Sequence, residues 1–273
     1  MTLYQAILLG IIQGITEFLP ISSSAHLVLV PFLLNWQLSP NESFVFDVLV
    51  QVGTLVAVVI YFHKDLFAIL KSFFQGLKLR QPFKEADSRM GWLILLATLP
   101  AGLIGLLIKD TVEAAFANPI LVAMMLLVTA ALMSVAELVG RKMHQFEEIT
   151  HWDAILIGLF QAAAIFPGIS RSGATISGGL LRQIDRKAAA RFSFLISIPV
   201  MAAAGLLALI DLISLPSLTS FLPVMAVGFT VSALIGYFSI AWLMRFLTRH
   251  PLYYFSIYCS VVAILMLVVY HVR

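Results

Sequence analysis

Six long apolar runs restrict this chain to a membrane fold. Each run is close to the roughly 20 residues that a spanning helix needs. Of the 273 residues, 61% are hydrophobic and only 11% are charged, which excludes a soluble domain of this length. The runs are continuous rather than alternating, so a membrane β-barrel is not expected. The sequence predicts an all-α polytopic membrane protein with about six transmembrane helices, at 44–62, 91–108, 119–138, 192–210, 222–243 and 252–271.

The basic residues lie mainly between the apolar runs. Lys and Arg concentrate in the segments 63–90, 139–152, 182–191 and 244–250. Basic loops stay in the cytoplasm by the positive-inside rule, and placing these four segments inside leaves both termini outside. The basic residues therefore orient the helices, and the pI of about 9.1 is not taken as a sign of nucleic-acid binding.

Two further stretches place polar residues where a membrane helix should be apolar. One extends from Gln13 to His26 and the other from Gln161 to Thr175. Polar and ionisable groups are costly at bilayer depth and mark function unless something else explains them. Because the two stretches also resemble each other, we interpret them as two parts of one site.

The resemblance extends into an internal repeat. The first Gln of each stretch ends a Gly-x-x-Gln motif, which starts at Gly10 and Gly158, and both stretches continue with Phe, Pro and Ser-x-Ser. Three spans follow each stretch, and three is an odd number. If each polar stretch returns to the side of the membrane from which it entered, the two halves therefore have opposite orientation. We expect one membrane domain, 1–273, of two inverted repeats, at about 1–138 and 153–273. Inverted repeats with broken helices place a binding site near the bilayer midplane.

Each polar stretch is predicted to be a re-entrant helix pair. Pro20 and Pro167 interrupt the helices, and the serines after them are good N-caps for a second half-helix. Two half-helix N-termini then point at the midplane with free N–H groups, which favours an anion such as phosphate. The four half-helices are too short to span, at 4–18, 23–36, 153–166 and 172–184.

Glu17 is the first candidate for chemistry. A carboxylate in this segment acts as a metal ligand or general base, or else braces the backbone as a buried acceptor. Gln13 lies one helical turn earlier on the same face and can coordinate a metal through its carbonyl oxygen, but it cannot act as a base.

The serine run and the histidine after it form a second candidate group. Ser22, Ser23 and Ser24 include at least one N-cap, so capping is the competing interpretation for each. His26 lies within one turn of them, and an imidazole near a hydroxyl is a nucleophile–base pair in outline. A purely structural histidine is the alternative.

Arg171 is the basic residue that topology does not explain. Its guanidinium can grip phosphate bidentately, and an ion pair with Glu17 is the alternative. Polar side chains and glycines beside it are candidates for phosphate binding, with helix capping or tight packing as the competing interpretations. They are Ser170, Ser172, Thr175, Gly168 and Gly173.

Three further residues are weaker candidates. Gln161 mirrors Gln13 and could close the site from the second half. Asp47 and Gln51 form another polar pair one helical turn apart, although Asp47 could simply mark a helix start at the interface.

At these residues the chain resembles the undecaprenyl-diphosphate phosphatase family, also known for bacitracin resistance. The family motif (Glu/Gln)-x-x-x-Glu corresponds to Gln13–Glu17, and Pro-Gly-x-Ser-Arg-Ser-x-x-Thr is complete at Pro167–Thr175. Ser-Ser-x-x-His matches at Ser22–His26. The resemblance covers the whole chain in length and segment order. The Pro167 motif is the specific one, and the Gln at position 13 replaces a Glu that many members carry.

The resemblance implies an enzyme that hydrolyses undecaprenyl diphosphate to the monophosphate and recycles this lipid carrier for cell-wall synthesis. It implies a divalent cation, Mg²⁺ or Ca²⁺, held by Glu17 and Gln13, and catalytic roles for Glu17, Ser23, His26 and Arg171. It also implies a bacterial plasma-membrane location with the site opening to the outer side. The expected partners are the polyprenyl diphosphate and membrane lipids, with a homodimer left open.

Two other function classes remain open at this point. Inverted repeats with broken helices are common in transporters, so a lipid-phosphate transporter or flippase is the main alternative. A non-catalytic membrane scaffold is the third. The convergence of Ser, His, Glu and Arg favours the phosphohydrolase.

The orientation of the helices can be tested with single cysteines in a chain that lacks Cys259. We expect cysteines at Lys78, Arg141 and Arg186 to react with an impermeant thiol reagent only from the cytoplasm, because the basic loops are retained there. Cysteines near Ala115 and Ser217 should react from outside. Labelling of positions 78 and 186 from opposite faces would contradict the inverted repeat.

Overall fold

The computed structural model describes residues 1–38, 40–116, 118–140, 143–213 and 218–272, and the regular structure in them is helical. A single isolated bridge joins His144 and Ile184. One short 3-10 helix covers Phe146–Glu148. The α-helices are α1 Leu3–Thr16, α2 Ser23–Leu33, α3 Pro40–Tyr61, α4 His63–Lys78, α5 Ala86–Leu107, α6 Lys109–Phe116, α7 Pro119–Val139, α8 His151–Ala163, α9 Arg171–Leu181, α10 Arg186–Ile213, α11 Leu218–Phe246 and α12 Tyr253–Val272.

Five helices in the described residues are long and apolar enough to span a membrane on their own, in α5, α7, α10, α11 and α12. A sixth candidate span is the pair formed by Val45–Tyr61 of α3 and by α4, which meet at a bend of 77°. The prediction of an all-α polytopic membrane protein with about six spans is confirmed.

Helix α4 corrects one prediction, because the segment 63–90 was expected to be only a loop. Its lysines recur every seven residues, at Lys64, Lys71 and Lys78, so they share one stripe of the helix. The other side is apolar and packs on α5, where the rings of Phe73 and Trp92 lie 4.9 Å apart. The prediction rested only on the basic residues of this segment and not on the helical period of its apolar ones.

Four short helices match the predicted re-entrant pairs. Helices α1 and α8 have 14 and 13 residues, and α2 and α9 have 11 each. Since a helix rises about 1.5 Å per residue, 11 residues extend only about 17 Å, well short of the roughly 30 Å hydrocarbon core. None of the four can cross a membrane alone.

The packing of the helices follows the two halves of the chain. Helix α1 packs on α11 and α8 packs on α5, while α3 packs on α10 and α7 on α12. If each helix is replaced by its counterpart in the other half, the contact between α1 and α11 becomes the contact between α8 and α5. The contacts between α3 and α10 and between α7 and α12 then each map onto themselves. The equivalent glycines allow these contacts: a Cβ at Gly10 would lie 2.8 Å from the Gly228 carbonyl oxygen, and one at Gly158 would lie 2.6 Å from that of Ala97. The repeat boundaries themselves stay a prediction.

Ion pairs join the predicted cytoplasmic segments. Arg182 contacts Asp153 at 2.5 Å and Arg191 contacts Asp65 at 3.0 Å. Burial raises the pKa of the Asp153 carboxyl, but hydrogen bonds from Arg182 and Thr150 and the charge of Arg182 outweigh it and hold this pKa below its ordinary value. These contacts gather the basic segments at one end of the bundle. The labelling positions Arg141 and Ser217 lie outside the described residues.

Candidate active site

The site is built where the two re-entrant turns meet. Ser22 caps α2 by accepting a hydrogen bond from the Ala25 N–H, and Ser170 caps α9 by accepting one from the Gly173 N–H. The predicted capping roles are therefore confirmed for these two serines. Both half-helices begin in the same region, so their free N–H groups add to a positive potential there.

Two hydrogen bonds lock the turns together. The Ser24 hydroxyl accepts from the Gly168 N–H at 3.3 Å, and the Ser172 hydroxyl donates to the Leu19 carbonyl at 3.2 Å. Each bond joins a residue of the first half to one of the second half. Ser24 and Ser172 are therefore engaged in assembling the site.

Gly168 allows the second turn to pack closely on α7. Its φ is +96°, and a Cβ at this position would lie 2.3 Å from the Val122 carbonyl oxygen. Thr129 of α7 fixes the turn on both sides of its bend, because its hydroxyl donates to the Gly168 carbonyl and accepts from the Ser170 N–H, each at 3.0 Å. Only glycine fits this conformation and this space without displacing α7.

Glu17 is the centre of the polar cluster. One carboxylate oxygen accepts from Gln13 Nε2 at 2.9 Å and from the Ser23 hydroxyl at 2.7 Å, and the other accepts from Arg171 Nη2 at 2.6 Å. Glu17 and Gln13 are almost completely buried. The structure thus brings four predicted site residues into direct contact. It also contains the Glu17–Arg171 ion pair, which was the alternative interpretation of Arg171.

Several buried polar atoms in this cluster have no hydrogen-bond partner among the described residues. They are Gln13 Oε1 and two guanidinium nitrogens of Arg171, Nε and Nη1. Buried donors and acceptors are nearly always paired, because an unpaired one costs about 1–3 kcal/mol. Two guanidinium nitrogens and one amide oxygen therefore remain available to a ligand that carries both an anionic group and a cation.

His26 does not hydrogen bond to Ser23, contrary to the expected nucleophile–base pair. Its Nδ1 lies 2.8 Å from the Ser22 carbonyl oxygen, and its Nε2 lies 2.8 Å from the hydroxyl of Tyr258. Helical side chains point back towards the N-terminus of their helix, and this direction brings the ring to the carbonyl four residues earlier. Ser23 instead uses Glu17 as its acceptor.

Other predicted residues lie outside the Glu17 cluster. Gln161 donates to the Ala97 carbonyl of α5 at 3.3 Å rather than closing the site. Thr175 bonds to the Arg171 carbonyl and to the Ser193 hydroxyl. Within the part of the chain that the structure describes, no hydrogen bond links Asp47 or Gln51 to this cluster.

Two residues at the site had no sequence signal. Thr129 lies in an apolar run, where a lone threonine is expected to bond to its own helix. Tyr258 lies in the last span, where a tyrosine is usually a membrane-interface residue. Their roles depend on contacts between helices, which residue spacing does not reveal.

The donors present are suited to a hard cation. An ionised carboxylate offers about four lone-pair positions, and Glu17 uses three of them, so one remains, on the oxygen that accepts from Arg171, and Gln13 Oε1 has no partner either. The described residues contain no cluster of three or more His, Cys, Asp or Glu that could hold a metal ion alone. Such a cation would therefore need oxygens from substrate and water, as Mg²⁺ usually does.

Comparison with known proteins gives matches over nearly the whole chain. A family model described as bacitracin resistance protein BacA matches residues 6–265. An undecaprenyl-diphosphatase of Chlorobium phaeobacteroides is 43% identical over 266 residues, which cover 94% of this chain and 93% of the relative. One from Geotalea daltonii is 42% identical and covers 98% of each chain. One from a Mycobacterium species is 39% identical and covers 98% of this chain and 96% of the relative.

The replacement Gly168→Ala tests how strictly the second turn is constrained. We expect it to destabilise the protein by about 1–3 kcal/mol, because a left-handed conformation is strained for alanine and the methyl group would overlap the Val122 carbonyl. Thermal unfolding in detergent measures the loss. Gly102→Ala is the matched control, since a Cβ there meets no atom within 4 Å. Equal melting temperatures for both variants would contradict this account.

Proposed function

The chain belongs to the bacitracin resistance protein BacA family, and from this premise we propose that it hydrolyses undecaprenyl diphosphate to undecaprenyl phosphate and inorganic phosphate. The observation that carries the proposal is the half-buried Arg171, which holds Glu17 with one nitrogen and leaves two without a partner. This arrangement lies where two helix N-termini meet, and such termini favour phosphate. The reaction returns the lipid carrier to cell-wall synthesis.

Arg171 is proposed to bind the diphosphate. Its unpartnered Nε and Nη1 can donate to phosphate oxygens, and charge-assisted bonds of this kind are about twice as strong as neutral ones. Ser170 and Gly173 contribute the start of α9, and Ser22 that of α2. Binding and orientation supply most of the catalysis in phosphoryl transfer, so this preorganised set of donors is the main contribution of the protein.

Ser23 is proposed as the nucleophile, with Glu17 as its proton acceptor. The hydroxyl already donates to the Glu17 carboxylate at 2.7 Å, which is the contact expected between a nucleophile and its base. Attack of Ser23 Oγ on the terminal phosphorus breaks the bond to the bridging oxygen, and the serine proton passes to Glu17. Undecaprenyl phosphate leaves, and water then hydrolyses the phosphoserine and regenerates the serine.

In the resting structure the Glu17 carboxylate accepts three hydrogen bonds, from Gln13, Ser23 and Arg171. A bound phosphate competes with Glu17 for Arg171. Withdrawal of the guanidinium towards the phosphate removes one of those bonds and frees a carboxylate oxygen. Substrate binding and activation of Ser23 are thereby coupled.

We also propose that the enzyme uses a divalent cation, Mg²⁺ or Ca²⁺. Gln13 Oε1 and the remaining lone pair of Glu17 would hold it. The bound cation would neutralise charge on the diphosphate, which Arg171 alone cannot balance. Transport of the lipid without hydrolysis is less well supported, since a serine hydrogen bonded to a buried carboxylate is not needed for it.

The enzyme is proposed to lie in the bacterial plasma membrane with its site open to the outer side and both termini outside. The family and the five or six candidate spans support the membrane location. The ion pairs of Arg182 and Arg191 support the placement of this end of the bundle at the cytoplasmic face, because both arginines lie in segments that the positive-inside rule keeps in the cytoplasm.

Release of inorganic phosphate from a polyprenyl diphosphate by the purified chain tests the proposed reaction. Arg171→Lys should reduce kcat/KM by about tenfold to a thousandfold, because a point charge cannot replace the fixed donors of the guanidinium. A phosphate assay in detergent with Mg²⁺ measures phosphate release by the wild type and by Arg171→Lys.

Arg182→Lys is the control at the other end of α9. We expect its kcat/KM to stay within about twofold of wild type, because its partner Asp153 is remote from the cluster. A chain that moves the lipid but releases no phosphate would refute the reaction.

Glu17→Gln should abolish phosphate release, because an amide neither accepts a proton nor binds a hard cation well. Gln13→Glu is the matched variant one turn away, and it should remain active since it adds a carboxylate ligand. Titration of the activity with Mg²⁺ and Ca²⁺ compares the two variants with wild type. An unchanged cation response in Glu17→Gln would show that Glu17 only braces the turn.

A further inference from the structure

Tyr258 of α12 contacts the buried His26 in two ways. Its hydroxyl lies 2.8 Å from His26 Nε2, and the two rings are stacked, with centroids 5.7 Å apart and planes 11° from parallel. The two residues are 232 positions apart in the sequence and belong to different halves of the chain. We propose that Tyr258 is a positioning residue that holds His26 in one orientation for the reaction. This inference rests on the proposed phosphatase function.

The hydrogen bonds of His26 define which ring nitrogen carries the proton. A carbonyl oxygen can only accept, so the 2.8 Å contact with the Ser22 carbonyl requires N–H at Nδ1. In the neutral ring Nε2 is then an acceptor, and the Tyr258 hydroxyl must donate to it. The Ser22 carbonyl therefore fixes the tautomer, and Tyr258 fixes the direction of the remaining lone pair.

The arrangement also defines how a proton reaches His26. Nε2 is covered by the Tyr258 hydroxyl, so a proton that arrives at Nε2 comes from this hydroxyl, which takes up another proton in exchange. His26 is only 8% exposed, whereas Tyr258 is 42% exposed. The phenol is thus the more exposed member of the pair. The proposed proton route to His26 therefore runs through Tyr258 and not through Ser23.

Helix α12 contacts the first re-entrant pair at three levels. The Cys259 thiol lies 3.7 Å from the Pro20 carbonyl oxygen in the turn, Tyr258 lies on His26, and Tyr270 stacks on Phe32 near the end of α2 at 6.1 Å. Tyr270 therefore resembles Tyr258 in residue type, helix and partner helix. It differs in having no contact with His26, which makes it the matched control.

The replacement Tyr258→Phe keeps the stacked ring and removes only the hydroxyl. We expect kcat for phosphate release to fall by about three- to tenfold, the effect of one lost hydrogen bond, while KM changes by less than about twofold. Tyr270→Phe should leave both constants unchanged. A rise in KM alone, or an equal effect of both replacements, would show that α12 only packs against α2 and would overturn the proposal.

A double-mutant cycle with His26→Gln isolates the pair. If Tyr258 acts through His26, Tyr258→Phe should change kcat by less than about twofold once the imidazole is absent. The same three- to tenfold loss in the His26→Gln background would mean that the hydroxyl acts independently of His26. That result would overturn the positioning role.

A second measurement is independent of activity. The chain has six histidines, and His63 Nδ1 also lies 2.8 Å from a carbonyl oxygen, that of Ile60. Besides a His63 signal that persists, ¹⁵N spectra of histidine-labelled protein should contain a neutral ring with its proton on Nδ1 that is absent from His26→Gln. Tyr258→Phe should shift the Nε2 signal of that ring, and Tyr270→Phe should not. An unshifted signal refutes the inference even if phosphate is released. If the signal shifts but the chain releases no phosphate, the His26–Tyr258 contact is supported and the proposed reaction is refuted instead.

Discussion

The buried ion pair between Glu17 and Arg171 is the interaction on which the rest of the structure depends. Each half of the chain contributes one charge, and the two side chains are only 4% and 13% exposed. An unpaired charge at this depth would be expensive, and removing one partner of a buried pair typically costs about 3–5 kcal/mol. Neither half can therefore bury its polar turn alone. The hydrogen bonds from Ser172 to Leu19 and from Gly168 to Ser24 complete the same assembly.

The ion pair also explains why the site is suited to an anion yet stable without one. Two helix N-termini and one guanidinium create a positive region, and the Glu17 carboxylate is the anion that the protein itself supplies. Three hydrogen bonds hold this carboxylate, while Arg171 keeps two nitrogens without partners. A phosphate can bind to these nitrogens and compete for the third. The same guanidinium therefore belongs both to the ion pair and to the region that favours an anion.

The lengths of the apolar runs predicted the spans closely, the two prolines and the segment lengths predicted the half-helices, and polar residues in apolar surroundings predicted the Glu17–Arg171–Ser23 cluster. The predictions failed where contacts between distant segments decide the outcome. The ring of His26 turns to the Ser22 carbonyl and Tyr258, Gln161 bonds to α5, and α4 forms a helix because its apolar side packs on α5. A sequence pattern of period 3.6 identifies a helix face but not the helix that faces it.

The two halves share their packing but not their chemistry. Gly10 and Gly158 make equivalent close contacts with backbone, whereas Gln13 bonds to Glu17 and Gln161 bonds to a backbone carbonyl. Four residues after Gln161 the second half has Ile165 instead of a carboxylate, and α9 begins with Arg171 where α2 begins with Ser23. A symmetric pair of turns supplies two helix N-termini. In the proposed reaction, different side chains on the two turns supply the base, the nucleophile and the guanidinium that binds the diphosphate. Divergence of the two turns would then be what turns an anion site into a catalytic one.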